Sequence, residues 1–230
     1  MKTLVIGGVA AGTKAAAKLK REDRSAEVTL LTKSREISYA GCGLPYYVGG
    51  LIETEEELIV NTPEKFAGLT GVQVLTGREA VGLDPERKSV HVKNLDDGTE
   101  EEYTYDNLIL AVGASAIVPD VPGIRLPGVF QMRTPEDAQN MRSYMEEHEV
   151  RRAVVAGGGF IGLEIAENLH AKGIAVTVID MAPQIMPNVL DPEMAAYAKR
   201  HLQKKGIRIP TGTALKAVLG GEKAAGIQTD

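Results

Sequence analysis

A short apolar strand that runs into a glycine-rich turn and then a helix occurs twice in this sequence, with Gly7 and Gly12 recurring as Gly157 and Gly162, an offset of 150 residues. Between the copies, alternating segments joined by a hairpin signal predict an antiparallel meander. Together these features predict an α/β fold of two Rossmann-like nucleotide-binding domains, each a parallel sheet with helices, with the meander added and the second domain incomplete at its C-terminus. The expected ranges are 1–117 for the first domain, 118–150 for a crossover and linking helix, and 151–230 for the second.

In the first copy, Thr3 to Ile6 reads as a buried strand, GGVAAG (Gly7 to Gly12) as the turn, and Ala10 to Arg21 as a helix with small residues toward the sheet. Glycines permit the turn and let a phosphate approach the backbone, and the helix N-terminus then receives a diphosphate. Val9 holds the middle position of G-x-G-x-x-G, so an ordinary strand-turn-helix stands as the alternative here. Val28 to Leu31 supplies the next strand, ended by Thr32 and Lys33 where an acid for a ribose would be expected; Thr32 keeps a hydroxyl for that purpose.

Thr62 and Pro63 read as the N-cap and first position of a short helix through Phe66, followed by a strand from Val72 to Leu75. Ser89 to Asn94 and Glu101 to Tyr105, joined through Asp96, Asp97 and Gly98, form the meander, and Leu108 to Val112 is a strand ending at Gly113. The Pro- and Gly-rich run from Val118 to Gly128 reads as the crossing, after which Thr134 and Pro135 start a helix with Ala138, Met141 and Met145 on one face.

The second copy is the stronger. Ala153 to Ala156 is a strand, Gly157, Gly159 and Gly162 complete the G-x-G-x-x-G register, and the following helix places Ile161, Ile165 and Leu169 four apart toward the sheet. Val176 to Ile179 is the next strand, and Asp180 ends it about 20 residues past the glycines, where a ribose 2′-hydroxyl would be bound and NADH favoured over NADPH. Asp191 and Pro192 begin a helix with Met194, Ala198 and Leu202 along one side; Ile207 to Ile209 reads as a third strand, and Ala214 to Leu219 with Ala224 to Thr229 as a hairpin.

The single cysteine, Cys42, lies in SYAGCGLPYY (Ser38 to Tyr47), flanked by Gly41 and Gly43 and followed by Pro45, which is placed to start a helix. Free N–H groups near a helix start favour the thiolate, the reactive form. A lone cysteine otherwise reads as a small buried apolar residue; the nucleotide turns on either side favour the reactive reading.

With 230 residues, 43% of them apolar, the chain can build real cores, and a formal charge of −5 gives no general pull toward nucleic acid or anionic lipid. One cysteine forms no internal disulfide, which makes the reducing cytoplasm the expected compartment. The apolar start is broken by glycines and lysines at helical spacing, unlike a signal peptide, and no apolar run approaches the roughly 20 residues of a membrane helix. His91, His148, His170 and His201 are not spaced for a metal or a Ser-His-Asp set.

On these motifs, together with YDNLILAVGA (Tyr105 to Ala114) and GGGFIGLEIAENL (Gly157 to Leu169), the chain resembles the flavin-dependent pyridine nucleotide-disulfide oxidoreductases with one active-site cysteine. SYAGCGLPYY is very similar to the coenzyme A-disulfide reductases, whose close relatives reduce polysulfides or persulfides. The resemblance implies FAD in the first domain, NAD(P)H in the second, and a cysteine that alternates between thiolate and a mixed disulfide with coenzyme A. Carried over residue by residue, Gly7, Val9, Ala10, Gly12, Thr32, Lys33, Ala111 and Gly113 belong to the FAD site, with Cys42 against the flavin. Gly157, Gly159, Phe160, Ile161, Gly162, Glu164 and Asp180 belong to the NAD(P)H site; Phe160 matches an aromatic that covers the flavin and Glu164 an acid near the nicotinamide ribose, where a core Phe and an exposed helical Glu are the plainer readings. Lys18, Arg21, Ser38 and Asn61 match positions that approach coenzyme A.

Two other functions stand beside this one. The sibling NADH oxidases and peroxidases cycle the cysteine through a sulfenic acid, but they carry a histidine in the first glycine turn where this chain has Ala10. A nucleotide-binding fragment without full activity is the third reading, because members of the family continue into the last NADH-domain strands, a return segment and a dimerisation domain; the full-length protein is then expected to be a homodimer.

Overall fold

The structure is a computed structural model describing residues 1–230. In chain order its elements are β1 (Lys2–Ile6), α1 (Ala10–Glu22), β2 (Glu27–Leu31), α2 (Leu44–Gly49), α3 (Pro63–Thr70), β3 (Gln73–Leu75), β4 (Arg78–Asp84), β5 (Ser89–Asn94), β6 (Glu100–Thr104) and β7 (Asn107–Leu110). They continue with α4 (Pro135–Glu147), β8 (Arg152–Ala156), α5 (Phe160–Ala171), β9 (Ala175–Ile179), α6 (Pro192–Lys204), β10 (Leu215–Gly220) and β11 (Ala224–Thr229). The chain divides into two compact units, Met1–Ala40 with Ile59–Ala114, and Gly41–Leu58 with Ser115–Asp230.

The first unit is built on a parallel sheet in the order β3-β2-β1-β7. Both faces of this sheet are covered, so its strands are apolar on both sides rather than alternating with polar residues. Val5, Val28 and Leu30 pack with Ala16, Ile37, Phe66 and Val72 on one face. Leu4, Ile6 and Leu31 pack with Val90 and Val92 of the meander on the other. The period-2 geometry of a strand thus splits adjacent residues between two cores.

The meander has three antiparallel strands, β4-β5-β6, one more than the sequence indicates. Its extra strand, β4, is hidden from pattern reading because the register shifts between Ala80 and Gly82 and because Val81 and Leu83 face outward. A bulge of this kind breaks the alternation that identifies a strand. At the hairpin, Asp96 accepts hydrogen bonds from Arg35 and Arg78. The Arg35 bond, helped by Arg78, holds the Asp96 carboxyl below the usual carboxylate range.

The second unit holds the parallel pair β8-β9 and the antiparallel pair β10-β11. The expected third strand at Ile207 to Ile209 is reduced to bridges. Arg208 exchanges two ladder bonds with β9, through Val178 N–H (2.7 Å) and Val176 O (3.1 Å), and Pro210, which has no N–H, interrupts the ladder beyond it. Two side chains read as core are exposed instead. Ile161, in the first turn of α5, is 53% exposed while Ile165 and Leu169 are buried, and on α6 Met194 is 50% exposed while its neighbour Ala195 is buried.

Neither unit is one contiguous stretch. Residues 41–58 leave the first unit and pack in the second, because Leu44, Val48 and Leu58 are buried in the same core as Ile165, Leu169 and Val178. α2 meets α5 tightly at Gly49, where a Cβ would lie 2.2 Å from Asn168 Oδ1.

Gly49→Ala is therefore expected to cost about 1–3 kcal/mol by overpacking, whereas Gly68→Ala in α3, whose Cβ meets nothing within 4 Å, is expected to stabilise by about 0.4–1 kcal/mol; denaturant unfolding of both variants measures the contrast. A folded-state pKa of Asp96 below its unfolded value means that its stabilising effect is full above the unfolded pKa and disappears as pH falls through the folded one. Asp96→Asn should therefore lower the unfolding midpoint at neutral pH and match the wild type in acid, a difference that added salt shrinks.

Candidate functional site

The two glycine turns are built alike, bond for bond. Gly7 and Gly157 have φ of +116° and +119°, values that an L side chain rarely adopts. Their N–H groups donate to the last residue of the neighbouring strand, Gly7 to Leu31 O and Gly157 to Ile179 O, both at 2.8 Å. A Cβ at Gly12 would stand 1.8 Å from Gly7 O, and one at Gly162 would stand 1.9 Å from Gly157 O. No side chain fits at either place, so strand end and helix start meet backbone to backbone. Val9 is accommodated where Gly159 stands because that N-cap position has an extended conformation in both turns, with φ of −102° and −83°, and a Cβ at Gly159 meets nothing within 4 Å.

The correspondence extends past the second strand of each unit. Ser38 N–H donates to Gly8 O and Met186 N–H to Gly158 O, both at 2.9 Å. Both donors are non-glycine residues with positive φ, +52° and +48°, and each follows a fully buried isoleucine, Ile37 or Ile185. The loop after the strand is thereby folded back onto the glycine turn. Sequence reading missed this because Ile37 and Ile185 are 148 residues apart, two fewer than the glycines, so a fixed offset does not align them.

What differs between the turns is the residue closing the strand. Asp180 is turned onto its own turn: Oδ2 accepts from Gly158 N–H and Oδ1 from Ala182 N–H, both at 2.7 Å. The expected ribose acid is thus also the pin of the glycine turn. Its counterpart Thr32 is buried, with its methyl 3.0 Å from where a Gly8 Cβ would be, and packs against the turn.

Helix starts separate the turns from the rest of the molecule. α3, α4 and α6 are each capped by the side chain that the sequence indicated, Thr62, Thr134 or Asp191, with Pro at the next position and an acid in the first turn; Thr134 and Asp137 complete a capping box. α1 and α5 have neither a side-chain cap nor a first-turn acid. Their first N–H groups and the positive end of the helix dipole are left for an anion.

Gly7, Val9, Ala10, Gly12 and Thr32 lie at the start of α1, as does the backbone of Ala111, whose carbonyl would be 2.0 Å from a Gly7 Cβ. Gly113, with φ of +70°, follows β7. Lys33 is exposed and 3.6 Å from Glu79. Lys18 and Arg21 sit in the later turns of α1, roughly 12 Å or more along the axis from its start, and the structure does not bring them to the glycine turn; Lys18 pairs with Glu22. Ser38 joins the turn through Gly8, and Asn61 precedes the cap of α3. At the start of α5, Phe160 is 58% exposed, which sets aside the core reading of that ring. Glu164 is half-buried, and its carbonyl accepts from Asn168 Nδ2 at 2.8 Å. Cys42 is exposed and free, in a 3-10 turn (Gly41–Gly43) that leads directly into α2. No group of three or more metal-ligating side chains lies together, and no helix is long and apolar enough to cross a membrane.

Two such turns on parallel α/β sheets define a protein of the dinucleotide-binding class. The chain belongs to the pyridine nucleotide-disulphide oxidoreductase family, which it matches over residues 1–230. It is 36% identical over 231 residues to a protein of Methanocaldococcus jannaschii named NADH oxidase, covering 100% of this chain and 51% of that one. To the NAD(P)H coenzyme A polysulfide/persulfide reductase of Pyrococcus horikoshii it is 34% identical over 229 residues, covering 100% and 50%. Among solved structures, an NAD-dependent persulfide reductase from A. fulgidus matches with a TM-score of 0.95 at 36% identity, covering 100% of this chain and 43% of that one. The chain spans about half the length of the curated relatives it matches. The family indicated by the cysteine and glycine motifs is the family found, and the two-unit α/β fold is the fold found.

Asp180→Ala removes two hydrogen bonds to a charged acceptor and frees the Gly158 N–H. The second unit should lose about 1.5–3 kcal/mol, read by denaturant unfolding, with Asp180→Asn losing less.

Proposed function

We propose that this chain is the nucleotide-binding and cysteine-bearing part of a flavoprotein reductase that takes electrons from NAD(P)H through FAD to Cys42 and on to a coenzyme A disulfide, polysulfide or persulfide. Family membership supports the reaction class. The observation that carries the nucleotide assignment is that α1 and α5 alone, among the helices of eight or more residues, start without a cap or an acid. The residues fit a diphosphate: positions 157 and 159 have open space where a Cβ would be, and the first turn of α5 has no side-chain cap and no acid, while Gly158 N–H is taken by Asp180. FAD belongs to residues 1–117 in this reading and NAD(P)H to 151–230, with NADH favoured by Asp180. When bound, these cofactors supply two-electron transfer from nicotinamide to sulfur.

The chain's own part in the chemistry is sulfur exchange. Cys42 attacks a disulfide R–S–S–R′ as thiolate, forming Cys42–S–S–R and releasing R′–S⁻, which takes a proton from solvent. Two electrons and a proton then return Cys42 thiolate and R–SH. An exposed sulfur between two glycines meets no side-chain obstruction from its neighbours. Ser38, Asn61, Lys18 and Arg21 are assigned to the coenzyme A moiety, the two cations toward its phosphates. The full-length protein is proposed to be a cytoplasmic homodimer acting on a small molecule, with no nucleic acid or membrane partner.

A second reading, NADH oxidase, has the support of the Methanocaldococcus relative's name. Ala10 weighs against it, since the resemblance to the oxidases calls for histidine there.

Intact-mass measurement separates the readings. Loss of one coenzyme A on reduction places the ligand on Cys42, and Cys42→Ser should lack the adduct, retain nucleotide binding and, in the full-length protein, drop disulfide reduction to background. A Cys42 that is trapped as sulfenic acid by a dimedone-type probe and carries no adduct favours the oxidase. Retained disulfide turnover in Cys42→Ser, or a purified protein without flavin absorbance, overturns the proposal.

A further inference from the structure

Cys42 is exposed and has no bonded partner, so its position is set by the backbone that carries it. That backbone is a three-residue 3-10 turn joined to the six-residue α2, a length that does not hold a helix by itself in water. Leu44 and Val48 tie the buried side of α2 to the core of the second unit. At its far end Gly49 packs against Asn168 of α5, and one side chain from α4 bonds the carbonyls there. Arg142, on α4, donates from Nη1 to Tyr47 O at 3.3 Å and to Glu53 O at 3.0 Å, and its Nε donates to Glu146 Oε1 at 3.2 Å. Its guanidinium carbon stands 4.7 Å from the centroid of the Tyr47 ring.

Each contact has a physical reason. Tyr47 O belongs to the last turn of α2, where the dipole is negative, and it accepts from Arg142 in addition to the Gly50 N–H at 3.1 Å. Glu53 O lies past the turn that follows, so one guanidinium joins the helix end to the returning loop. Glu146, one turn along α4, orients the fork from behind. The Arg142 side chain is only 24% exposed, whereas that of Glu146 is 63% exposed. A lysine has one nitrogen and no planar face, so it cannot bond Glu146 from one nitrogen and the two carbonyls from another while lying over the ring.

We propose that Arg142 is a positioning residue for Cys42: by clamping the C-terminal end of α2 it fixes the turn Gly41–Gly43 and with it the direction of the thiol. The consequence for disulfide exchange rests on the function proposed above; the clamp itself does not.

The test compares Arg142→Ala, Arg142→Gln and Arg142→Lys with Thr134→Ala, which removes the cap of the same helix and leaves the guanidinium in place. The full 230-residue chain is used. Two quantities are read: the rate of Cys42 alkylation by iodoacetamide as a function of pH, and amide exchange over residues 46–53. In the three Arg142 variants exchange should quicken by about tenfold or more, and the alkylation profile should move by at least about threefold in rate or visibly in its midpoint. Thr134→Ala should lower thermal stability and leave both readings at wild-type values. The proposal is overturned by wild-type exchange and alkylation in Arg142→Gln, by full restoration in Arg142→Lys, or by the same changes in Thr134→Ala; should Arg142→Ala fail to fold, the glutamine and lysine variants decide. Because alkylation reads the place of the thiol and not its redox role, a Cys42 that proves inactive in turnover leaves this result standing.

Discussion

In each unit, the α-carbon of the last glycine of the turn lies against the carbonyl of the first, Gly12 on Gly7 and Gly162 on Gly157, with less than a methyl group's room between them. This contact fixes the exit of the strand, the entry of the helix and the direction of the helix axis in one step. Everything at the start of α1 and α5 inherits its position from it, including the uncapped N–H groups that make the two helix starts suited to a diphosphate. The isoleucine packed against each turn, and the left-handed residue after it that bonds back to Gly8 or Gly158, belong to the same unit of construction.

The cysteine follows a different logic. It is not attached to a glycine turn, and it is exposed with no disulfide partner. Its segment is held at three places in the second unit: by Leu44, Val48 and Leu58 in the core, by Gly49 against Asn168, and by Arg142 at the helix end. The nearness of Gly49 to Asn168 also links the segment to α5, the helix whose other end is the second glycine turn. The cysteine's helix and α5 are thus in direct contact.

How much of this was legible in the sequence depended on how local the cause was. The glycine turns and the caps at Thr62, Thr134 and Asp191 are written in four to six consecutive residues, and the structure has them where they were read. The family followed from the same short motifs. Strand β4 was not legible because a bulge at Gly82 and two outward apolar residues break the period on which strand reading depends. Ile161 and Met194 look like core at helical spacing, but both lie in the first turn of their helices, beyond the reach of the buried face. The second task of Asp180, the fold-back at Ser38 and Met186, and the grip of Arg142 on residues about 90 positions earlier all arise from contacts between distant segments, which no window along the chain contains.

The excursion that carries Cys42 starts and ends at one point of the first unit, where Tyr39 bridges to Ile59 and Val60 N–H donates to Ser38 O at 3.0 Å. Its two ends are therefore already together before any residue between them is placed. For a loop so closed, the entropic penalty grows only with the logarithm of its length, about 0.6 kcal/mol for each doubling. Residues added to or removed from the tip would leave both glycine turns and the parallel sheets unaltered. Exposed positions of the excursion can thus be lengthened at small entropic expense, whereas Leu44, Val48 and Leu58 stay fixed by the core they share with the second unit.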